Sequence, residues 1–471
     1  MARTGGRNPT ARTCPPQPLP RGEGEGVGPK LKNKDQDAVD LPLPAPRYGF
    51  AARTGPARRF RRQCNTPPRG ALKQARRAGE SAITLPMRII ETTADLKDLC
   101  KELETAPYVA LDTEFMRDST YWPKLCLLQI AAPGVAAIVD PLAEGIDLAP
   151  FFELIKKPEI VKVLHAGRQD IEIFWHKGRV IPDPLFDTQI VAMVCGFGEA
   201  ASYETLARKL AHAEVDKSAR FTDWARRPLT TRQLEYAQAD VTHLRTIYEV
   251  LSEQLRRTKR ESWVAEEIEA LKSEELYALD PELAWKRLRP RTANKRFLSV
   301  LAAVAAWRER EAQTRDVPRN RVVKDEVLLE IAANPPEDSD GLEHIRSVPK
   351  GFAASRMGKS LMDAVAEAKD AAPPDVPDVP ERRRRRREPS AAAIDLLKTL
   401  LRLRAEDARV APRLIANAED IERLAAGDDE GVAALSGWRN EVFGKDAVAL
   451  RNGQLSIALE NGEAVIVELE D

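Results

Sequence analysis

Cysteine is scarce in this 471-residue chain. The five cysteines are scattered and show no CxxC spacing: Cys14, Cys64, Cys100, Cys126 and Cys195. This pattern predicts neither a zinc site nor a disulfide framework, and it favours a reducing compartment. The chain also lacks an apolar run long enough to cross a bilayer, and its N-terminus lacks the apolar core of a secretory signal. We therefore expect a soluble, cytoplasmic protein with no membrane partner.

Charge is balanced overall but uneven along the chain. The formal net charge is zero, yet residues 1–86 hold 17 basic and 6 acidic residues, a net charge of +11, so the remainder carries −11. A neutral total does not exclude nucleic acid as a partner, because an acidic chain can still present a local basic groove. The length predicts roughly two to four domains, since one hydrophobic core rarely serves so many residues.

Residues 1–86 contain 13 of the 34 prolines and almost no hydrophobic periodicity. Such a segment buries too little apolar surface to offset its ordering entropy, so we expect it to be disordered. It is interpreted as a basic RNA-binding tail, as an organellar transit peptide, or as sequence upstream of a true start at Met87. We favour the third interpretation, because regular structure begins directly at Met87 and the prolines oppose the amphipathic helix of a transit peptide.

Residues 87–283 show an α/β pattern. Short runs of apolar and β-forming residues predict strands at 108–115, 125–131, 136–140 and 160–164. Amphipathic periodicity predicts helices at 148–155, 169–176, 188–194, 203–210 and 231–254. Asp187 stands immediately before the third of these helices, where a carboxylate is a preferred N-cap.

Beyond residue 283 the pattern becomes mainly helical. Residues 284–370 predict a helical domain, and 371–390 predict a Pro- and Arg-rich linker with a six-arginine run that either contacts phosphate or is a solvated spacer. Residues 391–471 repeat the helical pattern weakly. Alternating runs at 447–450, 455–459 and 464–469 surround two Asn-Gly dipeptides and predict a small closing β-meander of three strands.

Four carboxylates on three separated segments, with one tyrosine, are the strongest chemical signal. Side chains alternate along a strand, so Asp112 and Glu114 are expected to project from one face. Asp170 lies near the start of its predicted helix. Tyr236 precedes Asp240 by one helical turn, which places both side chains on the same helix face. Each residue alone has an ordinary structural explanation, but the joint pattern is far more specific.

Separated acids on hydrophobic elements make sense if they converge on divalent cations. Oxygen ligands without paired histidines or cysteines favour Mg²⁺ or Mn²⁺ over zinc. Two such cations ~3.5–4 Å apart stabilise both the attacking and the leaving oxygen of a phosphodiester displacement. The pattern therefore predicts a metal-dependent nuclease in which water attacks a terminal phosphodiester. Tyr236 is expected to orient that water, because a phenol titrating near pH ~10 is a poor unaided base.

The three acidic segments resemble the motifs of the DEDD 3′→5′ exonuclease superfamily in its tyrosine-containing branch, and specifically the ribonuclease D family. The matching segments are 111–115 with 125–130, then 165–172, then 236–241. The histidine-containing branch places histidine five residues before the last aspartate, and here Glu235 stands at that position. The resemblance implies an α/β ribonuclease H-like domain, a mixed sheet flanked by helices, with no departure among the five site residues.

This resemblance also implies roles for individual residues. It implies that Asp112, Glu114, Asp170 and Asp240 hold two divalent metal ions and that Tyr236 acts beside them. Further candidates for contacting substrate are Phe115, Gln129, His165, Lys217 and Arg220. The two basic side chains hold the strand's phosphates or are solvated loop charges. The phenylalanine stacks on the terminal base or packs in the core, and the histidine is more simply a hydrogen-bonded structural residue.

The region around 298–366 resembles the HRDC module, a nucleic-acid-binding helical domain, through Trp307-Arg308-Glu309 and Val317-Pro318-Arg319-Asn320. The C-terminal segment resembles a second, diverged copy around Gly437-Trp438-Arg439. The resemblance therefore implies two mainly α-helical HRDC-type domains, at 284–370 and 391–471.

Together the resemblances imply a 3′→5′ exoribonuclease. Its expected partner is RNA, namely the 3′ ends of small structured RNAs such as transfer RNA precursors, and its expected products are nucleoside 5′-monophosphates. Two alternatives stay open: a DNA-directed 3′→5′ exonuclease and a catalytically silent RNA-binding scaffold. The HRDC modules without an adjoining polymerase or helicase favour RNA, and the presence of all four carboxylates opposes the scaffold.

Overall fold

A mixed sheet forms the N-terminal part of the computed structural model, which describes residues 87–290, 294–370 and 389–469. Its strands are β1 (Arg88–Ile90), β2 (Tyr108–Met116), β3 (Lys124–Ala132), β4 (Val135–Val139), β5 (Val161–Leu164) and β6 (Leu185–Asp187). The order is β1-β4-β3-β2-β5-β6. Strand β2 pairs antiparallel with β3 and parallel with β5. The predicted mixed sheet is confirmed, and the short strands β1 and β6 are additions to the four predicted ones.

Helices surround this sheet. They are α1 (Thr93–Leu103), α2 (Ala149–Ile155), α3 (Arg168–Gly178), α4 (Thr188–Val194), α5 (Tyr203–Leu206), α6 (Thr231–Thr258) and α7 (Glu261–Leu271). The long helix α6 begins at a capping box, in which Thr230 and Gln233 satisfy each other's backbone N–H groups. The helix predicted at 203–210 is shorter, because α5 passes into a π-helical turn over Ala207–Ala211.

The alternation of side chains along β2 separates two different environments. Val109 and Leu111 belong to a large core that β2 shares with α1, α2 and α3. Ala110 faces the opposite way and packs with Val241 and Leu244 of α6. Residues further along β2 on this second face therefore point toward α6 as well.

The next part of the chain is entirely helical over its described residues. It contains α8 (Lys295–Arg315), α9 (Arg319–Val322), α10 (Asp325–Ala333), α11 (Ser339–Glu343) and α12 (Arg356–Asp370). Its core also takes in Tyr121, from the segment that follows β2. The backbone N–H groups of Tyr121 and Trp122 donate to Asp316 at 3.0 and 2.9 Å. The segment after β2 is thus held directly by the helical region.

The C-terminal part is also mainly helical. It comprises α13 (Ala391–Ala408), α14 (Pro412–Ile415), α15 (Ala418–Ala426), α16 (Gly437–Arg439), α17 (Lys445–Arg451) and a hairpin of β7 (Leu455–Glu460) and β8 (Glu463–Glu468). The predicted strand at 447–450 is wrong, since those residues lie in α17. Phe443, Ala447 and Leu450 pack on one core, and their spacing of four and three residues is helical. The predicted meander is therefore a two-stranded hairpin.

Several predictions concern residues outside the ranges 87–290, 294–370 and 389–469. The disordered extension 1–86 lies outside the described residues, and so does nearly all of the linker, including the arginine run 382–387. The domain boundaries near residues 283 and 390 stay predictions. Within the described ranges, no helix combines the length and apolar character that a membrane span requires.

The buried carboxylate of Asp187 fixes two elements at once. It accepts from the backbone N–H groups of Gln189 and Ile190 at 2.8 and 3.3 Å, so it is the N-cap of α4, as predicted. It also accepts from Ala166 and Gly167 at 3.2 and 2.8 Å, in the turn that leads into α3. One side chain therefore orients the start of the helix that carries Asp170.

We expect Asp187→Ala to lower the free energy of unfolding by about 2–4 kcal/mol, because the variant loses a cap and leaves buried donors unpaired. Urea denaturation checks this. The matched control is Thr92→Ala, which removes an exposed cap with one backbone bond to Asp95 and should cost about 1 kcal/mol or less. Equal losses in the two variants would contradict the dual role of Asp187.

Candidate active site

Strand β2 presents two carboxylates toward α6. Asp112 and Glu114 lie two residues apart, and Ala110 on the same face packs against that helix. Gln129 of β3 is the direct partner of Asp112 in the antiparallel register. A register shift between Glu114 and Phe115 interrupts the pairing just beyond the second carboxylate. Such an irregularity re-aims the side chains beside it, and it is common next to active sites.

Helix α6 adds the third carboxylate. One ligand oxygen from each of Asp112, Glu114 and Asp240 lies within 4.8 Å of the others. Tyr236, one turn earlier on α6, forms a hydrogen bond with Asp240. One oxygen of that carboxylate has no partner. Asp240 Oδ1 is buried and forms no hydrogen bond among the described residues. We call Asp112, Glu114 and Asp240 the carboxylate cluster.

Asp170 lies beside the carboxylate cluster and is not one of its three members. It is buried in the first turn of α3, and its Oδ1 accepts a hydrogen bond from the Thr113 hydroxyl. Its charge nevertheless acts on both Asp112 and Glu114. The structure therefore brings all four predicted acids into one region. Oxygens of three of them lie within 4.8 Å of one another, and the carboxylate of Asp170 is turned toward Thr113.

Burial and mutual repulsion make these acids hard to ionise. Burial, followed by the charges of Asp240, Asp170 and Glu114, raises the pKa of Asp112 well above its usual range. Burial and the charges of Asp240 and Asp170 raise the pKa of Glu114 to about 8. Burial raises the pKa of Asp170 and of Asp240 each to about 7. A bound cation removes this penalty, so the electrostatics of the site suit a divalent metal.

Tyr236 enters this region as a neutral phenol. Burial, and then the charge of Asp240, raises the pKa of its hydroxyl far above the usual value. The hydroxyl therefore stays protonated at neutral pH and acts as a hydrogen-bond donor. This supports an orienting role and opposes a role as an unaided base.

The further candidates for substrate contact are placed differently from one another. Phe115 is half-buried and packs against the main core. Gln129 is fully buried, and neither amide atom has a hydrogen-bond partner among the described residues. His165 is half-buried, and its Nδ1 lies 2.9 Å from the Thr188 hydroxyl, as expected for a structural histidine. Of these, Gln129 offers unused polar atoms directly opposite Asp112.

The loop before α6 carries the predicted basic residues. The Lys217 side chain lies outside the described residues. Arg220 is exposed, and its positive charge lowers the pKa of both Glu114 and Asp240, so it lies close to the carboxylate cluster. Its guanidinium lies 5.3 Å from the ring centre of Phe221, which is 90% exposed. No sequence pattern singled out Phe221, because residue type alone does not separate an exposed aromatic from a core one.

Arg227 is a second residue that the sequence did not reveal. Its Nε and one terminal nitrogen donate to the Asp140 carboxylate at 2.5 and 2.6 Å. The same side chain donates to the backbone oxygens of Cys126 in β3 and of Trp224 at 2.7 and 2.8 Å. Arg227 therefore fastens the loop that carries Arg220 to β3, one residue from the position that pairs with Glu114.

Carboxylates gathered from a strand and a facing helix of a mixed sheet are the arrangement expected of a metal-dependent nuclease. A family model described as a 3′-5′ exonuclease matches residues 87–256, and one for the HRDC domain matches 297–365. Curated relatives named ribonuclease D share 47% identity with this chain. The alignment with the protein from Granulibacter bethesdensis covers 80% of this chain and 96% of that protein. The alignment with the protein from Nitrobacter hamburgensis covers 81% of this chain and 100% of that protein.

The solved structures agree with the curated relatives. The crystal structure of Escherichia coli RNase D, described as an exoribonuclease involved in structured RNA processing, aligns with a TM-score of 0.65 and 30% identity. The alignment covers 78% of this chain and 99% of that one. The chain belongs to the ribonuclease D family, and it is a 3′→5′ exoribonuclease with an HRDC domain.

We expect Asp112→Asn to raise the melting temperature of the metal-free protein at pH 8. An acid whose pKa is raised by folding binds more protons when folded, so the contribution of Asp112 to stability falls as pH rises above its ordinary pKa of about 4. Removing one charge should recover on the order of 1 kcal/mol, or roughly 2–4 °C. Thermal melts in a chelator at pH 6 and pH 8 check this.

The gain should be smaller at pH 6, where the cluster is already partly protonated. Adding a divalent cation should also reduce the gain in melting temperature, because cation binding stabilises the wild type more than the variant. Asp118→Asn, a neighbouring exposed acid, is the control and should leave the melting temperature unchanged. A fall in the melting temperature of Asp112→Asn without metal would contradict the electrostatic account of the site.

Proposed function

We propose that the chain trims the 3′ ends of small structured RNAs such as transfer RNA precursors, using two Mg²⁺ or Mn²⁺ ions, and releases nucleoside 5′-monophosphates. The observation that carries the proposal is the meeting of Asp112, Glu114 and Asp240 within 4.8 Å. Oxygen-only ligands favour these cations. Scarce cysteine and the RNA substrate together support a cytoplasmic location.

The residues of the site fit the proposed ions. Asp112, Glu114 and Asp240 would hold them, and Asp170 would complete the set from α3. The unpartnered Oδ1 of Asp240 and the raised pKa of each acid support this, because both features call for a positive charge in the site. When bound, two divalent ions stabilise the attacking and leaving oxygens of a phosphodiester displacement.

Tyr236 supplies positioning in this proposal. Its protonated hydroxyl donates to Asp240 and is one turn away on the same helix, so it can donate to a water or phosphate oxygen held at the cluster. A fixed donor in a site shielded from bulk water contributes to catalysis without reorganisation when charge develops.

The strand's 3′ end would meet a second group of side chains. Arg220 offers a charge near the carboxylate cluster, and Phe221 offers an exposed ring beside it for stacking on a base. Gln129 offers unpaired amide atoms opposite Asp112. Lys217, Phe115 and His165 keep their predicted roles in contacting substrate as proposals.

The first test follows a transfer RNA transcript with a 3′ extension, and a DNA oligonucleotide of matched sequence, with and without Mg²⁺. We expect the RNA to shorten stepwise from its 3′ end, and chelation to abolish this. Asp240→Asn should lower kcat by about 10²–10³-fold, the loss typical of one key electrostatic group.

Glu235→Gln is the matched control, since it removes an exposed carboxylate from the same helix, five residues before Asp240, and should retain full activity. Undiminished trimming by Asp240→Asn would refute the assignment of the cluster. Preference for the DNA strand, or products other than nucleoside 5′-monophosphates, would refute the proposed substrate and reaction.

A second test separates positioning from metal binding. Tyr236→Phe removes the donor but no metal ligand, so kcat should fall by about 10–100-fold while the Mg²⁺ concentration for half-maximal activity stays the same. The control is Tyr248→Phe, further along α6 and packed against Tyr108 and Phe186. It should leave both kcat and the Mg²⁺ dependence unchanged. A change in metal dependence for Tyr236→Phe would indicate that the hydroxyl belongs to the metal site.

A further inference from the structure

A cavity of about 340 Å³ opens where the segment after β2 meets the helical region that follows the exonuclease domain. Arginines from both sides line it: Arg117 from the segment after β2, and Arg287, Arg308 and Arg319 from the helical region. Asn320 adds an amide, and Asp325 is the acidic residue in the lining. We call this cavity the junction pocket.

Ion pairs hold the four guanidinium groups in place. Arg117 donates to both carboxylate oxygens of Glu172 at 3.0 and 2.5 Å. Arg287 and Arg319 both lie 2.6 Å from the same oxygen of Glu309. Burial opposes ionisation of Glu309, but hydrogen bonds from Arg319, Tyr121 and Arg287 lower its pKa to about 2, so it stays charged.

The pocket nevertheless keeps an excess of positive charge. The fourth arginine, Arg308, pairs with Asp325, so the four guanidinium groups face three carboxylates: Glu172, Glu309 and Asp325. Arg308 is 3% exposed, and its Nε is buried without a hydrogen-bond partner in the described part of the chain. An anion in the pocket would neutralise the excess positive charge.

The pocket lies close to the carboxylate cluster along the chain. Arg117 follows β2 directly and stands three residues beyond Glu114, which limits the distance between their Cα atoms to about 10 Å. Arg117 therefore brings one side of the pocket within reach of an RNA strand that ends at the cluster. Planar guanidinium groups, preorganised by ion pairs, suit the oxygens of a phosphate.

We propose that the junction pocket binds a backbone phosphate of the RNA strand, a few nucleotides from the 3′ end being hydrolysed. This rests on the proposed function, because it requires an RNA strand at the carboxylate cluster. The pocket joins the exonuclease domain and the helical region into one track for the strand. Its ligand is a phosphodiester, and the free phosphate group of a released nucleotide is the competing source of the same chemistry.

Arg287→Gln is the variant of choice. Arg287 is the most exposed of the three arginines whose ion pairs involve Glu309 or Asp325, with 44% of its side chain accessible. Its partner Glu309 keeps Arg319 and Tyr121, so no buried carboxylate is left unpaired. Arg310→Gln is the matched control: it removes one exposed arginine of α8, paired with Glu282, outside the pocket.

Binding is measured by fluorescence anisotropy with a 3′-tailed single-stranded RNA in chelator, over a series of salt concentrations. Arg287→Gln should weaken binding about tenfold, the loss of one charge-assisted contact, and reduce the slope of log affinity against log salt by about 0.7. Arg308→Lys keeps the charge but loses the planar fork, and it should weaken binding as well. Adenosine 5′-monophosphate at millimolar concentration should not displace the RNA.

Unchanged affinity and slope in Arg287→Gln would overturn the proposal, and so would equal losses in Arg287→Gln and Arg310→Gln. Displacement of the RNA by the mononucleotide would assign the pocket to product instead of strand. Melting curves verify that each variant is folded. Trimming by the wild type in Mg²⁺ is scored separately, so failure of the nuclease assignment is distinguished from failure of the pocket.

Discussion

Repulsion among carboxylates is the constraint on which the rest of this structure depends. Asp112 and Glu114 share a face of β2, and α6 brings Asp240 within 4.8 Å of both. Arg220 and the Tyr236 hydroxyl compensate these charges only in part, and burial raises the pKa of each acid. The fold therefore holds an arrangement that is unfavourable until a cation arrives. Such stored electrostatic cost is typical of sites built to bind metal, and it requires a rigid scaffold.

That scaffold consists of polar side chains that fix the elements around the cluster. Asp187 caps α4 and fixes the turn before α3, so it orients Asp170. Arg227 fastens the loop carrying Arg220 to the sheet. A capping box defines the start of α6, only a few residues before Tyr236. Each of these contacts lies outside the cluster, yet together they set the positions of its acids and of the nearest positive charge.

Local pattern predicted most of this fold, and tertiary contacts account for the rest. The strand carrying Asp112 and the helix carrying Asp240 were predictable, because alternation and helical spacing depend on neighbouring residues alone. The turning of Asp170 toward Thr113 was not, since it depends on packing between α3 and β2. The sequence also could not predict that the Gln129 amide lacks hydrogen-bond partners among the described residues. At 447–450 the alternation misled, because packing against the C-terminal core favours a helix.

The same reasoning explains why the helical region cannot be regarded as a separate attachment. Tyr121 comes from the segment directly after β2, yet it is 3% exposed within the core of the helical region. Trp122 beside it stacks on His176 of α3, with ring centres 3.9 Å apart. One short segment therefore links β2, the helix of Asp170 and the HRDC-type core. Because that segment is held on both sides, displacement of the helical region must strain the strand that carries Asp112 and Glu114.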